Sequence, residues 1–143
     1  MNCHKRILII DDEKMNIMAL AHYLKPQYEI IVATEGNSGI EAAVKHIPDL
    51  ILLDIIMPGL NGFDVITKLK ERNETGKIPV IFITGLNNIE DEEKGLLQGA
   101  ADYIVKPFNK TIIKKKIETQ LKIIEYERTI EQLNKLLNSQ TMN

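Results

Sequence analysis

Residues 50–62 read Leu-Ile-Leu-Leu-Asp-Ile-Ile-Met-Pro-Gly-Leu-Asn-Gly. The four apolar residues Leu50 to Leu53 show no polar alternation, which is the pattern of a strand covered on both faces of a parallel sheet. Asp54 stands where that strand stops, and Pro58-Gly59 turns the chain. From Phe63 to Arg72 the pattern changes to helical spacing, with Val65, Ile66 and Leu69 on one face. One short unit therefore contains a strand, an acidic strand end, a loop and a helix.

Outward from this unit the same order repeats. Apolar, β-branched stretches recur at Ile7 to Ile10, Tyr28 to Ala33, Val80 to Ile83 and Asp102 to Val105. Amphipathic stretches at Lys14 to Lys25, Ser38 to His46 and Ile89 to Gln98 lie between them, and a longer one follows Asn109, which reads as its helix cap. Five β-α units predict a doubly wound α/β sheet with right-handed crossovers.

The bulk properties agree with a soluble domain. A chain of 143 residues, 44% hydrophobic and 27% charged, has the length of one domain with a few dozen residues to spare. A domain this large buries about two thirds of its unfolded surface and needs no staple. Cys3 is the single cysteine, so no intrachain disulfide forms and a reducing compartment fits. The longest apolar runs, such as Ile78 to Ile83, fall far short of the roughly 20 residues that span a bilayer. The first residues carry no secretory apolar region. These features predict a cytoplasmic protein without membrane attachment.

Charge narrows the partners. Residues 1–108 carry 11 Lys and Arg against 16 Asp and Glu, a net of −5, whereas residues 109–143 carry 7 against 4, a net of +3. An acidic body is poorly suited to wrapping nucleic acid, and the mixed charges of the tail suit a solvated helix face. No direct nucleic-acid contact is expected.

In open α/β sheets, ligands bind beyond the carboxyl ends of the strands. Asp11, Asp12 and Glu13 follow the first strand, Asp54 the third, Thr84 and Gly85 the fourth, and Lys106, Pro107 and Phe108 the fifth. Each has a plain alternative: a double Asp caps helices, an Asp opens a Pro-Gly loop, and lysines are usually solvated. Their joint arrangement, in order at one rim, outweighs these. Clustered carboxylates repel unless a cation sits among them, and Mg²⁺ or a similar hard ion such as Mn²⁺ is the natural occupant. With Lys106 opposite and Thr84 as donor, the set predicts metal-assisted phosphorylation of an aspartate nucleophile.

Residues 7–13 (ILIIDDE), 50–62 (LILLDIIMPGLNG), 81–85 (IFITG) and 99–108 (GAADYIVKPF) together resemble the signature segments of CheY-like receiver domains of two-component response regulators. The resemblance covers about residues 5–125. It implies a flavodoxin-like five-stranded sheet in the order 2-1-3-4-5, and a phosphoacceptor fed by a sensor histidine kinase or a phosphotransfer protein. It further implies Asp54 as the acceptor and Mg²⁺ held by Asp12 directly, by Asp11 through water, by Asp54 and by the carbonyl of Ile56. Lys106 is then the phosphoryl contact, and the Lys106-Pro107 bond is cis. Thr84 and Tyr103 become the switch pair, whose movement alters the surface of the fourth helix, fifth strand and fifth helix. Such a domain is a switch that catalyses only its own phosphoryl transfer. Taken alone, Tyr103 reads as an edge-strand aromatic half covering the core.

Two positions bear on how long the phosphoryl group lasts. Ile56 and Leu86, two residues past Asp54 and Thr84, are apolar and cannot orient an attacking water, which predicts slow loss. A haloacid-dehalogenase-like phosphohydrolase also uses an Asp nucleophile but needs a second Asp where Ile56 stands. A flavin phosphate would be repelled by Asp11-Asp12-Glu13.

Beyond the body, the sequence is helical almost to its end. Ile113, Ile117, Leu121 and Ile124 suit a helix lying on the sheet, whereas Ile123, Tyr126, Ile130, Leu133 and Leu137 form an a/d seam. We therefore divide the chain into a receiver domain, residues 1–125, and a helical extension, residues 126–143. The extension reads as a coiled-coil start that offers a homodimer contact, a connector to an output domain, or a free helical arm. No DNA-binding helix-turn-helix, cyclase or metal-histidine hydrolase signature is present.

Overall fold

The computed structural model describes residues 4–85, 89–107 and 109–141. Strands and helices alternate: β1 (Arg6–Ile10), α1 (Lys14–Leu24), β2 (Glu29–Ala33), α2 (Gly36–His46), β3 (Leu50–Asp54), α3 (Gly62–Glu71), β4 (Val80–Thr84), α4 (Ile89–Leu97), β5 (Asp102–Val105) and α5 (Lys110–Thr141). All neighbouring strands pair in parallel, in the order β2-β1-β3-β4-β5 expected of the flavodoxin-like arrangement.

Period-2 alternation along the strands builds two cores. Leu8, Ile10, Ile51, Leu53, Val80 and Phe82 point to one face, where Ile40 and Ala43 of α2 and Val65, Ile66 and Leu69 of α3 cover them. Ile7, Ile9, Leu50, Leu52, Ile81 and Ile83 point to the other, under Leu20 and Leu24 of α1 and Ile113 and Ile117 of α5. Each fully buried Leu or Ile contributes roughly 1.5–3 kcal/mol, so the three central strands dominate stability. The expectation of two-faced burial holds for β3 and β4 and fails for β2, where Val32 is 43% exposed. An edge strand has no neighbour on its outer side, so its side chains are covered from one direction only.

Local signals set the bounds of α3. Asn61 Oδ1 accepts from the Asp64 amide at 3.0 Å, and Asp64 Oδ2 accepts from the Asn61 amide at 3.3 Å, closing a capping box. Gly62 then packs so closely that a Cβ would lie 2.7 Å from the carbonyl oxygen of Asp54. This contact presses α3 onto the end of β3. Helix α2 begins at Gly36, two residues before the amphipathic stretch predicts. Asn109 caps α5, its Oδ1 accepting from the Ile112 amide at 3.1 Å.

Helix α5 has two unlike halves. Ile113 and Ile117 are buried and Leu121 and Ile124 half-buried, but every residue from Glu125 to Gln140 is exposed. The helix leaves the body at the amino ends of β3 and β4. There Ile124, Glu127 and Arg128 line a cleft of about 540 Å³ with Pro48 and Pro79.

Candidate functional site

Parallel register brings the carboxyl ends of the central strands level. Ile10 lies beside Leu53, and Asp54 lies beside Ile83. The residues that follow therefore meet at one rim. Asp11, Asp54 and Thr84 are buried there, at most 2% exposed, while Asp12 is exposed. Asp11, Asp12 and Asp54 each offer a carboxylate oxygen, and these oxygens lie within 4.8 Å of one another.

The hydrogen bonds show what this pocket lacks. Asp11 Oδ1 accepts from the Glu13 amide at 2.9 Å, but buried Oδ2 has no partner among the described residues. A buried carboxylate oxygen left this way costs free energy, and a cation removes that cost. The helix-cap reading of the acidic run does not hold, because Glu13 is the N-cap residue of α1 and no side chain caps it. The residues present therefore fit a hard divalent ion by donor type, by proximity and by the orphaned oxygen.

Asp54 is held from two sides. Its Oδ1 accepts from the Ile56 amide at 3.3 Å, and Lys106 Nζ approaches the same oxygen at 3.6 Å. Burial, together with the charge of Asp11, pushes the Asp54 carboxyl up to about 7, against the opposing pull of Lys106 and the Ile56 amide. Burial likewise raises Asp11, against the Glu13 amide and Lys106. Two buried carboxylates this close resist ionising together, and one ammonium does not balance both.

Thr84 Oγ1 donates to the Gly85 carbonyl at 3.0 Å. Tyr103, half-buried on β5, packs beside the core, and Lys116 Nζ lies 5.0 Å from the centre of its ring. The side chain of Ile56 is 70% exposed at the mouth of the pocket. The Lys106–Pro107 bond is cis. Leu86 and Phe108 lie outside the described residues. Of the predicted site residues, Asp11, Asp12, Asp54 and Lys106 converge, while the hydroxyl of Thr84 is turned to its own loop. Sequence reasoning missed the amides of Glu13 and Ile56, which carry no side-chain signal.

A parallel 2-1-3-4-5 sheet with an acidic pocket, a buried Thr and a Lys at its carboxyl rim defines a class of α/β switch domains. Within that class, the chain belongs to the response regulator receiver domain family, whose family model matches residues 7–118. A Vibrio cholerae protein named "Probable cyclic di-GMP phosphodiesterase" is 41% identical over 115 residues, which are 80% of this chain and 26% of that one. Protein PilH of Pseudomonas aeruginosa is 38% identical over 117 residues, 81% of this chain and 97% of PilH. The chain thus spans about a quarter of the first relative and nearly all of the second. The crystal structure of the Vibrio cholerae chemotaxis protein CheY4 superposes with a TM-score of 0.77 at 25% identity, covering 82% of this chain and 98% of that one. Residues 7–118 are a receiver-type phosphoacceptor domain of two-component signalling. No helix among the described residues is long and apolar enough to cross a membrane.

Proposed function

We propose that Asp54 takes the phosphoryl group from a phosphohistidine of a sensor kinase or phosphotransfer protein, in a Mg²⁺-dependent reaction. The observation that carries this reading is the orphaned Asp11 oxygen beside an acceptor already paired with Lys106. A carboxylate oxygen of Asp54 attacks phosphorus, the P–N bond to the donor histidine breaks, and an acyl phosphate results. Lys106 offsets charge on a phosphoryl oxygen, and Thr84 exchanges the Gly85 carbonyl for another. Asp11, Asp12, Asp54 and the carbonyl of Ile56 would hold Mg²⁺ or Mn²⁺, which supplies further neutralisation of the transferring group.

The new hydrogen bond to Thr84, worth roughly 1.5–3 kcal/mol, biases the loop after β4. Tyr103 then turns inward, and the face of α4, β5 and α5 changes. Residues 1–125 act as the receiver, and the extension passes the change to an output domain or protein partner in the cytoplasm. The domain turns over no substrate beyond its own phosphoryl group. Exposed, apolar Ile56 cannot orient a water for in-line attack, so the acyl phosphate is lost slowly.

Incubation with a small acyl phosphate and Mg²⁺, followed by intact mass, tests the scheme. One phosphoryl group is gained by the wild type and none by Asp54→Asn. An unchanged gain in the variant rejects Asp54 as the acceptor. A spontaneous lifetime of seconds in a phosphate-release assay rejects the role given to Ile56.

A further inference from the structure

Past Ile124 the last helix runs beside the cleft as far as Glu131, and an apolar seam lies outside that cleft. Ile123, Tyr126, Ile130, Leu133 and Leu137 follow at heptad spacing, and each is at least 40% exposed. At about 100° per residue, this seam lies roughly opposite the stripe of Ile113, Ile117, Leu121 and Ile124. The body therefore does not obstruct it. In heptad terms, Ile123, Ile130 and Leu137 take the a positions and Tyr126 and Leu133 the d positions. Ile at two of the three a positions, with Leu133 at d, favours two parallel strands.

The flanking charges favour the same arrangement. Lys122 falls at g and Glu127 at the next e, positions that face each other across a parallel, in-register pair of copies. Lys122 holds Glu118 of its own helix at 3.5 Å, with both side chains about half exposed, a pairing weak enough to give way. An antiparallel pair sets g against g and e against e. The g positions Lys115, Lys122, Thr129 and Leu136 include no acid, and the e positions Gln120, Glu127 and Asn134 include no base. Only the parallel pair matches opposite charges.

We propose that the occupant of the seam is a second copy of this chain, forming a parallel coiled coil over residues 122–137 with Lys122 of each copy against Glu127 of the other. The helix leaves each body at the pole opposite the acidic pocket, so pairing leaves both pockets open. Two heptads hold weakly, and the dimer is concentration-dependent. Nothing in this proposal depends on phosphoryl chemistry, so it stands or falls separately from the proposed function.

Sedimentation of the full chain over a wide concentration series, under reducing conditions, tests it. The wild type shifts toward dimer as concentration rises, and Ile130→Asp, a change at an exposed position, remains monomeric and melts like the dilute wild type. Lys122→Glu and Glu127→Lys each weaken association about tenfold, and combining them restores it. A monomer up to the solubility limit overturns the proposal. So does a dimer indifferent to Ile130→Asp, or a double variant as weak as the singles.

Discussion

The acidic pocket and the helical arm break the ordinary rules of burial in opposite directions. At the carboxyl rim of the sheet, two carboxylates are buried with one ammonium beside Asp54. At the far pole, five large apolar side chains in heptad register stand in water. Neither arrangement is favourable for the chain alone. Under the two proposals above, each is relieved by something that binds there, a divalent cation and phosphoryl group in one case and a second helix in the other. The two differ in how much they constrain the fold. The pocket is built into the central strands, where a change propagates into the core. The arm projects from the body, where a change does not.

That difference can be tested at both ends. The largest effect is expected at Asp11, whose buried oxygen lacks a partner beside the proposed cation site. Asp11→Asn lowers Mg²⁺ affinity by about 10–100-fold, measured by titration calorimetry. An unchanged affinity would remove the reason given for burying that carboxylate.

Next comes a stability effect without metal. The folded-state value of Asp54, about 7, lies above its ordinary 3.8, so the folded state binds the proton more tightly than the unfolded chain. Stability from this group is therefore present at acid pH and lost as pH rises toward 7. In chelator, Asp54→Asn is more stable than wild type at pH 8, and the gain vanishes near pH 4. Urea unfolding at the two pH values reads the difference, and a variant less stable at pH 8 contradicts the sign.

The same linkage acts on the metal. Cation binding must displace a proton from the carboxylate pair, so Mg²⁺ affinity falls up to about tenfold per pH unit below 7. A flat profile between pH 5 and 7 would mean that the carboxylates are already ionised. The smallest effect belongs to the arm, where, at concentrations that keep the wild type monomeric, Ile130→Asp changes the unfolding free energy of the body by no more than about 0.5 kcal/mol. A larger loss would show that the arm packs on the body after all.

These regions also differ in how well the sequence reports them. The central strands are legible because continuous apolar runs such as Leu50 to Leu53 have few other uses. Asp11, Asp12, Asp54, Thr84 and Lys106 are legible because charged and hydroxyl groups at strand ends have a fixed place in this topology. Groups that act through backbone are not. The amides of Glu13 and Ile56 bind the two buried carboxylates whatever their side chains are. Ile47 closes α2 in the left-handed region at φ 43°, where Gly or Asn is the usual signal. The partial exposure of β2 is hidden as well, since an edge strand and a central strand can share one apolar pattern.

The central claim is that this pocket directs phosphoryl transfer to Asp54 and needs a divalent cation to do so. Treating the acyl-phosphate-labelled chain with borohydride, which reduces an aspartyl phosphate to a homoserine residue, and mapping the peptides reads the site directly. The account predicts conversion at residue 54 alone, abolished by chelator. Conversion at another carboxylate, or equal conversion at residue 54 without the cation, would contradict it.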